Sequence, residues 1–252
     1  LHDALPILTL FSILLVLLIE QFKPLRADNP VYAWIRMFAA RIEHSFNAGQ
    51  PEHGRMGWLV MMSVLVVPVL LVYWLLALLG PLAQFAWSVL IVYLTLGFRH
   101  YSHYFTAIQG ALNESDLTEA RRLLAEWTRQ DVRDLDSREV ARLSVENALI
   151  TTHRHVFGVF FWLLLPIGPA GAVIYRVAEY LARGWNRPEM KEESFGAFAK
   201  KAFDLIDWLP ARLTAIAFAI VGNFEDAVYA WRNFARRWAD ESHLSSALDE
   251  IQ

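Results

Sequence analysis

The stretch Trp58–Leu79 carries no charged residue. A bilayer span takes about 20 apolar residues, so this run restricts the possible folds before any other feature does. Backbone N–H and C=O groups in hydrocarbon must be satisfied within the chain, which points to a helix. Gly80-Pro81 then interrupts the run, and a second apolar stretch, Leu82–Gly97, follows at once. The pattern predicts a helical membrane hairpin. Hydrophobic residues make up 56% of the chain and charged residues 19%. That balance fits a membrane protein with a sizeable polar portion. The expected fold class is all-α, a polytopic membrane helical protein with a cytoplasmic helical insertion.

Other segments fill in this picture. Leu8–Ile19 is apolar but short, and Glu20 ends it. Val31–Phe46 has Val31, Trp34, Ile35, Phe38 and Ile42 at helical spacing, interrupted by Arg36, Arg41 and Glu43. This predicts an amphipathic helix at the membrane interface, starting at Pro30. Asp116–Trp127 and Ser137–Leu149 read as polar helices, capped by Asp116 with Glu119 and by Ser137. They define an insertion over 112–149. Val156–Leu181 is apolar apart from Arg176 and Glu179, with Pro166-Ile-Gly-Pro-Ala-Gly171 in its middle. It predicts either one kinked span or a broken, partly re-entrant one. Leu205–Val221 is a weaker apolar stretch containing Asp207 and Arg212.

Arginines and lysines lie on both sides of the hairpin, which places both flanks in the cytoplasm. The expected location is the bacterial inner membrane, with several passes. At the amino end, Asp3-Ala-Leu-Pro-Ile7 reads like one frame of a sequencing adapter. Residues 1–7 are therefore expected to be a non-native leader, with a single domain over 8–252.

The net charge of -3 does not suggest nucleic-acid binding. The lack of cysteine excludes disulfides, thiolate metal sites and a cysteine nucleophile. No phosphate loop, dinucleotide fingerprint or Ser-His-Asp order occurs. His100 and His103 share a helix face and could meet His153 and His155. No carboxylate at ligand spacing completes that set, so no metal and no cofactor is expected. Arg176 and Glu179 lie three apart in an apolar helix and can pair. Ionisable groups at membrane depth are costly and often functional.

Several segments carry a family likeness. Asn29-Pro30-Val31 with Ile42-Glu43, Ala111-Leu112 with Asp116-Leu117, and Ala120-Arg121 with Leu124 stand in order. Arg129-Gln-Asp-Val132, Leu135-Asp136, Ala141-Arg142 and Val145-Glu146 follow. Phe161-Trp162, Gly168-Pro-Ala-Gly-Ala172, Tyr175-Arg176 and Trp208-Leu-Pro-Ala-Arg-Leu-Thr214 complete the series. In these the chain resembles the CobD/CbiB family of cobalamin-assembly membrane proteins and its AmpE-like relatives. The resembled reaction joins aminopropanol or its phosphate to the carboxylate of adenosylcobyric acid as an amide.

The chain departs from the synthase pattern at specific places. Ile150-Thr-Thr-His-Arg-His155 stands where the synthases have Glu-Asn-Thr-Ser-Asp-Gly. Glu179-Tyr-Leu-Ala-Arg-Gly184 replaces Asn-Thr-Leu-Asp-Ser-Met, and a pair of aspartates reduces to Asp204. Asp207-Trp-Leu-Pro-Ala-Arg-Leu213 resembles the AmpE-like branch. Two functions follow from the resemblance. The first is a member without synthase activity, serving an AmpE-like sensing or regulatory role. The second is an adenosylcobinamide-phosphate synthase-like enzyme, with His153 or His155 moving protons. A transporter built on the broken segment is a third reading. The ligand-binding candidates are Arg121, Arg142, Glu146, His153, His155, Arg176, Glu179 and Arg212. The expected partners are the lipid bilayer and a corrinoid or cell-wall-fragment ligand.

Overall fold

The computed structural model describes residues 4–23, 29–47, 51–96, 99–186 and 195–221; for 4–8, 51 and 99–102 it describes the backbone alone. Among the described residues there are helices and turns but no strand. The helices are α1 (Ala4–Phe22), α2 (Pro30–Phe46), α3 (Pro51–Ala77), α4 (Pro81–Leu96) and α5 (Arg99–Asn113). They continue with α6 (Leu117–Thr128), α7 (Ser137–Thr152), α8 (Gly158–Leu163), α9 (Pro169–Gly184) and α10 (Ala197–Val221). A π-helical turn, His153–Phe157, joins α7 to α8. Compact units divide the chain at Trp208: Leu1–Trp208, and Leu209–Gln252.

In the first unit, α3 and α4 form the expected hairpin and pack on each other. Gly80 makes the turn between them with φ +117°. Only a residue without Cβ enters that region readily. Within the described residues one helix, Glu52–Ala77, is long and apolar enough to cross a membrane. The second arm falls short of the expectation. α4 has 16 residues, about 24 Å of helix against a hydrocarbon core of roughly 30 Å.

The main core gathers α3, α4 and α9, with α1 on α4, α2 on α3 and α8 on α9. Its fully buried members include Val16, Met61, Val92, Leu96, Val159, Leu163, Tyr175 and Leu181. The apolar stretch 156–181 takes the broken form: α8 ends at Leu163 and α9 begins at Pro169. Gly168 stands between them with φ +60°, followed by Pro169 at the first helical position. The returning helix passes close to the outgoing one. A Cβ built on Gly158 would lie 2.1 Å from Cζ of Tyr175, so the phenol ring occupies the space a side chain at 158 would need.

The insertion has its own small core of Ile108, Ala111, Ala120, Leu124, Val132 and Val140, built by α5, α6, α7 and the 129–136 linker. Asp116 caps α6, its carboxylate accepting from the Glu119 amide at 2.9 Å. The N-cap of α7 is Asp136 rather than the expected Ser137. Asp136 and Glu139 form a reciprocal capping box at 2.7 and 3.1 Å, a carboxylate pairing that also favours the positive end of the helix. Pro30 opens α2 as expected, with Asn29 accepting from Val31 N at 2.8 Å. α1 begins ahead of Leu8. In the second unit the described residues are 209–221, the distal part of α10, where Arg212 is exposed.

Candidate functional site: an imidazole, carboxylate and phenol cluster

The π turn sits where the sequence departs from the synthase pattern. π turns carry i→i+5 bonds and occur mostly inside α-helices, often at functional sites. Here the turn carries His153, Arg154 and His155. His153 Nε2 lies 2.8 Å from Asp207 Oδ1 on α10. The Tyr175 hydroxyl on α9 donates to the same oxygen at 2.7 Å. Tyr175 is fully buried, stacked at a tilt on Phe203 with centroids 5.6 Å apart. Asp207 thus ties α10 both to the π turn and to α9.

Arginines stand on the same elements, Arg154 on the π turn and Arg176 and Arg183 on α9. Arg154 places its guanidinium 5.6 Å from the centre of the Phe203 ring, a cation–π geometry. Arg176 pairs with Glu179 at 3.2 Å, and Arg183 approaches the same carboxylate at 3.5 Å. Glu179 is buried, whereas Arg183 is more than half exposed. His155 is buried, its Nδ1 3.0 Å from the Thr151 carbonyl. It precedes the apolar stretch 156–181. Burial, and then the nearby Arg176, push its imidazole well below its ordinary value. His155 is therefore neutral at neutral pH.

Of the residues expected from sequence, the structure gathers His153, His155, Arg176 and Glu179 around the π turn and α9. Three other candidates lie elsewhere in the first unit. Arg121 donates from Nε to the Leu135 carbonyl at 2.7 Å and so fastens the linker of the insertion. Arg142 and Glu146 are exposed on α7, roughly 10–16 Å along the helix from His153 at 1.5 Å per residue. Arg212 belongs to the second unit. His103 is exposed, and the His100 side chain lies outside the described residues. Among the described residues no group of three or more His, Asp or Glu side chains is placed to hold a metal ion.

Sequence reasoning missed Asp207 and Tyr175. Their signals were a lone carboxylate in an apolar stretch and a tyrosine next to Arg176. Both look like interface residues until the fold brings α9 and α10 to the π turn.

The described residues form a helical protein with an imidazole–carboxylate–phenol cluster that joins the π turn, α9 and α10. The chain matches the CobD/Cbib protein family over residues 12–246, and it belongs to that family. It is 34% identical over 220 residues to the cobalamin biosynthesis protein CobD of Stutzerimonas stutzeri (strain A1501), covering 86% of this chain and 70% of that one. It is 34% identical over 176 residues to the protein of the same name from Chromobacterium violaceum, covering 70% and 56%. The protein of that name from Leptospira interrogans is 28% identical over 149 residues, covering 56% and 46%. The chain thus spans only part of each relative. No solved structure matches it.

These relatives correct the first functional expectation. They carry the cobalamin name over most of this chain, which goes against an AmpE-like sensing or regulatory role and lends the AmpE-like branch no support. Similarity over most of the chain outweighs the local replacement at 150–155 on which that reading stood.

Proposed function

We propose that this protein is a cobalamin-assembly enzyme of the CobD type. In this reading it joins the amine of aminopropanol, or of its phosphate, to a carboxyl of a corrinoid acid such as adenosylcobyric acid. The new bond is an amide, and water leaves. An ammonium must lose a proton before its nitrogen can attack, so the site needs a proton acceptor. The observation that carries the reading is the pair His153–Asp207, held 2.8 Å apart and braced by Tyr175. His153 lies within the segment 150–155, where the synthase pattern has acidic groups. Arg154 and Arg176 would offset the negative charge of a carboxylate or phosphate. Arg121, Arg142 and Glu146 stay in the proposal as substrate-binding residues beyond the cluster, with His155, Glu179 and Arg183 shaping its electrostatics; Arg212 stays a ligand-binding candidate of the second unit, taken by itself.

The reading includes a multi-pass position in the bacterial inner membrane. Its support is the span Glu52–Ala77 and the apolar side chains left exposed along neighbouring helices. These include Leu10, Phe11, Leu14 and Leu18 of α1, and Leu71, Trp74 and Leu75 of α3. Exposed apolar surface on this scale calls for a non-aqueous neighbour.

The test is complementation. A bacterium deleted for its own CobD and fed cobyric acid should regain cobalamin-dependent growth when it expresses this protein. Failure to rescue, with the protein in the membrane fraction and the Stutzerimonas relative rescuing in parallel, would overturn the proposal.

A further inference from the structure

α2 divides its surface unevenly. Ala39 and Ile42 are buried, with Ile35, Phe38 and Phe46 packed against the main core. Ile42 lies against α3: a Cβ on Gly57 would come within 3.1 Å of its Cγ2. A second flank is polar and carries Arg36 and Glu43. The third flank is apolar and exposed among the described residues. Val31, Trp34 and Met37 are 41%, 46% and 65% exposed, and Trp34 stacks on Phe38 with centroids 5.2 Å apart. Arg41 is exposed on this same flank, between Trp34 and Met37 in helical projection.

We propose that this flank of α2 lies in the headgroup layer of the bilayer, as an in-plane anchor that favours anionic lipid. The proposal rests on the membrane position argued above. The occupant follows from the chemistry of the flank. An exposed tryptophan beside valine and methionine suits the boundary where one side is apolar and the other wet. An arginine within the apolar flank can lay its stem along that surface while its guanidinium meets a lipid phosphate. The flank is also continuous with membrane-facing surface: α2 packs on α3, which carries the span and whose outer residues Leu59, Val60 and Val64 are exposed. A protein partner there would have to share this face with the lipid around α3.

The chain lacks cysteine, so single-cysteine variants report one position each. Met37→Cys, Leu71→Cys and Arg133→Cys would be labelled with an environment-sensitive fluorophore. Each labelled protein would be reconstituted in phosphatidylcholine vesicles with or without phosphatidylglycerol. Lipids spin-labelled near the headgroup or at the chain end, and aqueous iodide, serve as quenchers. Position 37 is expected to be quenched most by the headgroup-proximal label, position 71 by the chain-end label and position 133 by iodide. Phosphatidylglycerol should shift the position-37 emission to the blue, and Arg41→Gln should remove that shift. Iodide access at 37 equal to that at 133, with 71 still in lipid, would overturn the anchor and leave the membrane reading standing. Dominant chain-end quenching at 37, or retention of the shift in Arg41→Gln, would also overturn it. Iodide access at 71 would overturn the membrane reading and the anchor with it.

Discussion

His153 and Asp207 are 54 positions apart in the chain, yet their side chains meet at 2.8 Å. Both are largely shielded from solvent, at 11% and 16% exposure, and Tyr175 donates to the same Asp207 oxygen. Asp207→Asn keeps the shape but removes the negative charge beside the His153 ring. It should lower the proposed amide-forming activity by about tenfold or more, while thermal unfolding shifts only modestly. Asp207→Leu also strips Tyr175 of its acceptor and should cost roughly 1–3 kcal/mol of stability. Complementation yield and thermal melts of the two variants separate the chemical effect from the structural one.

Gly158→Ala tests the close approach of α8 and α9. The added methyl would fall 2.1 Å from the Tyr175 ring, and overpacking of this kind costs about 1–3 kcal/mol. Combining it with Tyr175→Ala should recover part of the loss, because the double variant removes the obstacle. A double-mutant cycle on denaturation midpoints reads the coupling. Strict additivity would contradict the contact.

Glu179→Gln leaves Arg176 without its buried counter-charge. Removing one partner of a buried pair costs on the order of 3 kcal/mol. The loss should be larger than for Arg183→Gln, since Arg183 is the more exposed and more distant partner at 3.5 Å. Chemical denaturation of the two variants checks the order.

His155 sets an acid limit. Its folded-state value lies below the ordinary 6.5, so the unfolded chain binds a proton that the folded chain resists. Its contribution to stability is whole above about pH 6.5 and is lost as pH falls below that, at up to about 1.4 kcal/mol per pH unit. His155→Gln should flatten that part of the stability profile. An unchanged acid limb in the variant would assign the limit to other groups.

Much of the architecture was legible. The α3–α4 hairpin, the capped helices of the insertion and the break near Pro166–Gly171 follow from charge-free runs, Asp/Glu spacing and Gly-Pro chemistry. These are local signals. Whether α4 spans was not legible, because a run ending at Gly97 does not say where the helix itself ends. The cap of α7 was misread by one residue: Ser137 and Asp136 are both good caps, and only the reciprocal bond to Glu139 chooses between them. The cluster was half legible. His153, His155, Arg176 and Glu179 stood out as polar groups near apolar sequence. Asp207 and Tyr175 gained meaning only from long-range packing, which no periodicity encodes.

The π turn has one more consequence. Nineteen residues of uninterrupted α-helix would carry Val159 about 100° around the axis from Val140. One added residue within a turn recovers roughly that angle. Val140 in the insertion core and Val159 with Leu163 in the main core thereby return to one side of a single rod. The turn works as a vernier between two cores that would otherwise be out of phase. Deleting a single residue from 153–157 would detune them, turning one of the two burial faces toward the surroundings while leaving every residue of both faces intact.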